Sequence, residues 1–200
     1  MSQTVTADWL KSNHDDDIQI LEATFFLPTM DRNAQAEFAT SHIPAARFFN
    51  IDAIKAPDSD LPHMLPSADI FARHMNGLGI SSDKKIIIYD RSVFLSSARA
   101  WWMLRMFGHE DVAVLDGGWQ AWLDAGGPTA SGDDTTPSSA TTFTPSPASD
   151  ANVILMDQLR GLVEAGTAPQ ILDARASARF EGQAPEPRPG LRSGHIPGAL

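Results

Sequence analysis

Asp52 and His63 stand eleven residues apart in a loop-rich stretch. Histidine is the natural proton carrier near pH 7, and a carboxylate beside it can fix its tautomer. Spacing alone equally allows His63 to cap or pack the loop before Met64-Leu65-Pro66. Arg179 and Arg188 flank a Pro- and Glu-rich loop, where spacing alone reads as exposed arginines in surface ion pairs. Cysteine is absent, so no disulfide, thiolate metal site or cysteine nucleophile exists within these residues. His14-Asp15-Asp16-Asp17 reads as a solvated loop, because consecutive residues cannot all face one metal ion. Gly77-Leu78-Gly79 suits a helix C-cap better than a dinucleotide fingerprint. Gly117-Gly118 suits a tight βα turn, since no P-loop lysine follows it.

The elements that must carry these side chains begin with an ordinary globular composition, 42% apolar over 200 residues. The net charge of −10 argues against nucleic acid as partner, because phosphate binding needs clustered Lys and Arg. A local pair of arginines can still oppose that sign for a small anion. No apolar run approaches roughly eighteen residues, so no membrane span is expected. Nor does the N-terminus read as a secretory signal. A soluble cytoplasmic protein is the expectation.

Strand-like and helix-like segments alternate. Ile18 to Glu22, Arg47 to Ile51, Lys85 to Tyr89 and Val112 to Leu115 read as strands. Ala34 to Thr40, Ser67 to Met75, Ala98 to Phe107 and Trp119 to Ala125 read as helices. The Ile86-Ile87-Ile88 run suits a strand covered on both faces. This rhythm predicts an α/β domain with a mostly parallel sheet over residues 1–128. The four tryptophans 101, 102, 119 and 122 read as core and domain-interface packing. Residues 129–150, rich in Thr, Ser, Ala, Asp and Pro, read as an extended linker.

The pattern then restarts over residues 151–200, with a helix at Met156 to Glu164 and a strand at Gln170 to Asp173. Ile20-Leu21-Glu22-Ala23 is echoed by Ile171-Leu172-Asp173-Ala174, an offset of 151. His42-Ile43-Pro44-Ala45 is echoed by His195-Ile196-Pro197-Gly198, an offset of 153. Near-equal offsets mean a tandem duplication. In both copies the histidine reads as a loop-structuring residue. Only five residues follow His195, so the second domain is expected to be incomplete.

The His-Ile-Pro motifs, Tyr89-Asp90, Trp101-Trp102 and Leu115-Asp116-Gly117-Gly118-Trp119 resemble the rhodanese family, and the tandem layout its two-domain members. The resemblance implies a cysteine in the loop after the central strand of the second domain, where a thiolate takes up sulfur as a persulfide. In the first copy the matching position is Asp90, which makes that copy catalytically silent. Asp90 follows His42 by 48 residues, and the same count after His195 falls near position 243, past Leu200. The chain by itself is therefore expected to be inactive.

Arg179 and Arg188 resemble the substrate-holding arginines of the 3-mercaptopyruvate sulfurtransferase branch. Asp52 and His63 resemble its Ser-His-Asp-like relay, with the serine in the cysteine loop. The implied activity moves sulfur from 3-mercaptopyruvate to a thiol, cyanide or protein acceptor, without a metal or organic cofactor. Two other readings stand beside it: a thiosulfate:cyanide sulfurtransferase, and a non-catalytic rhodanese-like binding module, which Asp90 favours.

Overall fold

The computed structural model describes residues 3–14, 17–91, 95–132, 142–146, 153–187 and 190–200. It divides into two compact units, Met1–Ala148 and Ser149–Leu200. The first contains β1 (Thr4–Val5), α1 (Ala7–Ser12), β2 (Ile18–Glu22), a 3₁₀ turn at Pro28–Met30, α2 (Ala34–Thr40), β3 (Ala46–Phe48), α3 (Ala68–Gly77), β4 (Lys85–Tyr89), α4 (Ser97–Met106), β5 (Val112–Leu115) and α5 (Gly118–Asp124). The five strands form one sheet in the order β1-β5-β4-β2-β3, and every pairing is parallel.

Successive side chains of a strand point to opposite faces, so the isoleucine run of β4 feeds two cores. Ile86 and Ile88 pack on one face with Leu21, Phe71, Met75, Leu104 and Phe107. Ile87 and Tyr89 pack on the other with Leu10, Ile20, Phe38, Ile43 and Trp122. Helix α3 starts at Ser67, whose hydroxyl accepts the Ile70 N–H. It runs two residues further than expected and stops in a Schellman turn: Ile80 N–H donates to Met75 O and Gly79 N–H to Asn76 O. Gly79, at φ +70°, supplies the left-handed residue this turn requires. The first ladder strand and α1 escape the alternation because they are short. Their one local signal is Thr6, whose hydroxyl caps Trp9 N–H.

The described parts of the expected linker belong with the first unit. Ala130 pairs with His42 in an antiparallel bridge. Phe143 is 2% exposed, inside the core beside Phe71. Its N–H donates to Asn76 Oδ1, and Ser146 N–H donates to Phe107 O. Burial of that one large apolar side chain stabilises by about 2–3 kcal/mol.

In the second unit, α6 (Met156–Glu164) and α7 (Ser177–Phe180) accompany one parallel bridge, Ile171 with Ala199. That bridge repeats the pairing of Ile20 with Ala46 in the first unit. Leu172, the counterpart of the fully buried Leu21, is 73% exposed. The restarted pattern therefore reproduces the first pairing of the domain without the layers that cover it in the first unit.

Candidate active site

Asp52 lies just beyond β3, on the side of the sheet where strands end. Parallel α/β sheets place their sites there. Phe49, Ile51 and Ile54 are buried and anchor the segment. The Asn50 side chain accepts the N–H groups of Asp52 and Ala53, at 3.0 and 3.2 Å. Ala56 N–H donates to Met64 O and closes the loop that brings His63 back. The result is a hydrogen bond of 2.7 Å between His63 Nε2 and Asp52 Oδ1. Phe25 meets the imidazole edge-on at 5.0 Å. Asp52 is largely exposed and His63 mostly covered. Such a rim pair adds little stability, so its physical effect is to orient the ring. His63 itself sits at φ +56°, and Arg99 Nη2 donates to its carbonyl at 2.6 Å.

Asp90 lies beyond β4 and is buried. Its carboxylate accepts the Ser97 N–H at 2.6 Å, at the start of α4. An aspartate there is favoured by the helix dipole and satisfies a donor that would otherwise have no partner. The Asp90 carbonyl accepts Trp119 N–H at 2.9 Å. Arg91 clasps Glu22 through two bonds of 2.8 and 2.7 Å, and its Nη2 also reaches Ser41 O. The guanidinium lies over Trp119 at 4.5 Å. This buried pair was not foreseen from the sequence. Its signal was Glu22 itself, an acid closing an apolar strand that had to find a cation. A cavity of about 770 Å³ opens beside Asp90 and Arg91, walled by Trp101, Trp119 and Leu115.

In the second unit, Arg179 donates through Nε and Nη2 to Glu186 Oε2, at 3.2 and 2.5 Å. Arg175 holds the other oxygen of Glu186 at 2.9 Å and clasps Asp173. Asp173 is consequently held well below the usual carboxylate range, at about 2, chiefly by its hydrogen bonds from Arg175. Glu186 is lowered too, first by its bond from Arg179. Arg188 lies outside the described residues. Arg175, overlooked in the sequence, is the centre of this network. Asp52 and His63 thus meet directly, whereas Arg179 meets a glutamate of its own unit.

The two units share a smaller signature. His42 Nδ1 lies 2.8 Å from Phe38 O, with the two rings stacked at 4.1 Å. His195 Nδ1 lies 2.8 Å from Phe180 O, with those rings stacked at 3.9 Å. The sequence profile of the rhodanese-like domain matches residues 6–125. The chain belongs to the rhodanese family. Among rhodanese relatives, the 3-mercaptopyruvate sulfurtransferase of Escherichia coli K12 is 44% identical over 98% of this chain and 69% of its own length. The thiosulfate/3-mercaptopyruvate sulfurtransferase 1 of Arabidopsis thaliana, a mitochondrial protein, is 41% identical over 98% of this chain. The chain spans only 56% of that plant relative. In structure, the rhodanese fold of SseA from Escherichia coli superposes with a TM-score of 0.87 and 39% identity, covering 100% of this chain and 74% of SseA. Among the described residues, no helix is long and apolar enough to cross a membrane.

Proposed function

We propose that this chain forms the larger part of a sulfurtransferase that takes sulfur from 3-mercaptopyruvate. The observation that carries the proposal is the 44% identity, over 98% of the chain, to a protein of that name. In the proposed reaction a cysteine thiolate, supplied by polypeptide outside these 200 residues, attacks the substrate sulfur. A sulfur–sulfur bond forms as the carbon–sulfur bond breaks. The carbon end leaves as the enolate of pyruvate and takes up one proton. The persulfide then passes its outer sulfur to a thiol, cyanide or protein acceptor.

His63 is the residue proposed to handle the proton. The Asp52 carboxylate on Nε2 supports this, because it leaves Nδ1 to carry a proton. Arg179 and Arg188 are proposed to hold the carboxylate and carbonyl of the substrate. Arg179 spends Nε and Nη2 on Glu186, which fixes the plane of its guanidinium; among the described residues no hydrogen bond is made by Nη1, the side proposed to meet an incoming oxygen. A cytoplasmic location belongs to the same proposal, and cell fractionation checks it.

Steady-state assays of the full-length protein test the reading. Pyruvate release from 3-mercaptopyruvate should exceed thiocyanate formation from thiosulfate. A reversed preference would favour the thiosulfate reading, which the paired naming of the Arabidopsis relative supports. The 200-residue chain alone, with no cysteine, should release no pyruvate above a blank. Failure of the full-length protein on both donors would leave the binding-module reading, for which Asp90 is the supporting residue.

A further inference from the structure

We infer that Arg99 is a positioning residue for the Asp52–His63 pair, aiming the imidazole by holding the backbone of His63. The inference rests on the reading of that pair as a proton relay. Its own evidence is geometric. His63 adopts φ +56°, in the left-handed region that a residue with a Cβ rarely enters without something to hold it. The holding contact is the Arg99 Nη2 bond to the His63 carbonyl, 2.6 Å long and charge-assisted. Holding that oxygen restrains the His63 backbone, and with it the Cα–Cβ bond from which the ring reaches Asp52.

Packing does not account for Arg99. Its guanidinium is partly withdrawn from water, and burial lowers its pKa. Among the described residues no carboxylate forms an ion pair with it, and its Nε is buried without a hydrogen-bond partner. An apolar side chain of similar length would fill the space without that desolvation penalty. The face of Trp102, 4.9 Å from the guanidinium carbon, backs the charge. Arg99 is also two residues beyond Ser97, whose N–H is tied to the Asp90 carboxylate. The first turn of α4 thus joins the loop after β4 to the loop after β3. His63 is held to the scaffold by its main chain as well as by Asp52.

The test uses the 200-residue chain labelled with ¹⁵N. Long-range ¹H–¹⁵N spectra report the tautomer of each of its six histidines, and His63→Gln identifies the His63 signals by their loss. In the unmodified chain His63 should be in the Nε2–H form. Arg99→Met should move it toward the mixture of a free histidine side chain, with a measurable share of the Nδ1–H form, while the other histidine signals stay in place. Arg99→Lys, which keeps a cationic donor, should restore most of the preference. If Arg99→Met does not fold, Arg99→Leu, which also lacks a donor, is read in the same way. A folded Met or Leu variant with unchanged His63 signals overturns the inference.

Activity separates this result from the reading beneath it. In the full-length protein, Arg99→Met should lower kcat about tenfold with KM little changed, a part of what general acid–base catalysis supplies. That loss should not add to the loss from His63→Gln. Full activity of His63→Gln would sink the relay, and the spectral result on Arg99 would still stand as a statement about the loop.

Discussion

Phe180 lies 3.9 Å from His195, ring against ring, within 7° of parallel. Phe38 and His42 make the same stack, but four residues separate them where fifteen separate the second pair. The extra residues of the second copy carry Glu186, the partner of Arg179. The second unit thus has the same pair of rings with a longer chain between them, and that longer loop holds part of an arginine network. In the first unit the stack is core: Phe38 is 3% exposed. Phe38→Ala should destabilise that unit by about 3–5 kcal/mol, the range for buried phenylalanines. Urea unfolding followed by tryptophan fluorescence measures it.

Glu22 and Arg91 are buried together, with side chains 0% and 9% exposed. Removing one partner leaves the other charge stranded. Glu22→Ala should therefore cost about 3–5 kcal/mol, whereas replacing both by apolar residues of like size should cost much less. Comparing the two denaturation midpoints decides whether the pair or only its balance matters.

How far these features were legible in the sequence follows from what periodicity records. β4 was readable because three β-branched isoleucines in succession suit a strand with two covered faces. Asp52 and His63 were readable as a pair through the resemblance, but their contact depends on Asn50 and on the closure of Ala56 onto Met64. No residue spacing announces either of these. Arg91 and Arg99 were passed over because each finds its partner through the fold, Glu22 and the His63 carbonyl, whereas Arg175 clasps Asp173 two residues away and reaches Glu186 only through the fold. Phe143 was visible as the one large apolar residue of a polar stretch, yet only the core around Phe71 shows why it is there.

Gly118 approaches the Asp90 carbonyl so closely that an added Cβ would stand 2.3 Å from that oxygen, at φ +55°. The obstacle is backbone and cannot swing away. Gly118→Ala should cost about 2–4 kcal/mol, combining left-handed strain with displacement of the turn. The displaced turn should also loosen Ser97, so hydrogen exchange at its amide would rise. A neutral effect on both would show that the turn adapts.

Ala45 is exposed and held at φ +62°, where its counterpart in the second copy, Gly198, sits at φ +82°. Its methyl contributes no core packing, so Ala45→Gly loses nothing there. Relief of left-handed strain should exceed the entropy cost of glycine, for a net gain of about 0.5–1 kcal/mol. A rise in the melting temperature of the first unit is the expected readout.

Hydrogen bonds from Arg175 hold the carboxylate of Asp173 ionised to low pH. Its pKa in the folded chain is about 2, against an ordinary value of 3.8, first because Arg175 hydrogen-bonds to it. A carboxyl group whose folded pKa is lowered adds stability above its unfolded pKa, where both states are ionised. That contribution fades as pH falls from about 4 toward 2, because the unfolded state takes up its proton first. A ¹³C carboxyl titration should accordingly find Asp173 still ionised at pH 3. Arg175→Gln should return its midpoint toward 3.8, with the Glu186 midpoint moving up alongside, since Arg175 bonds both acids. If the Asp173 midpoint stays near 2 in that variant, the bond from Arg175 is not what holds its proton off.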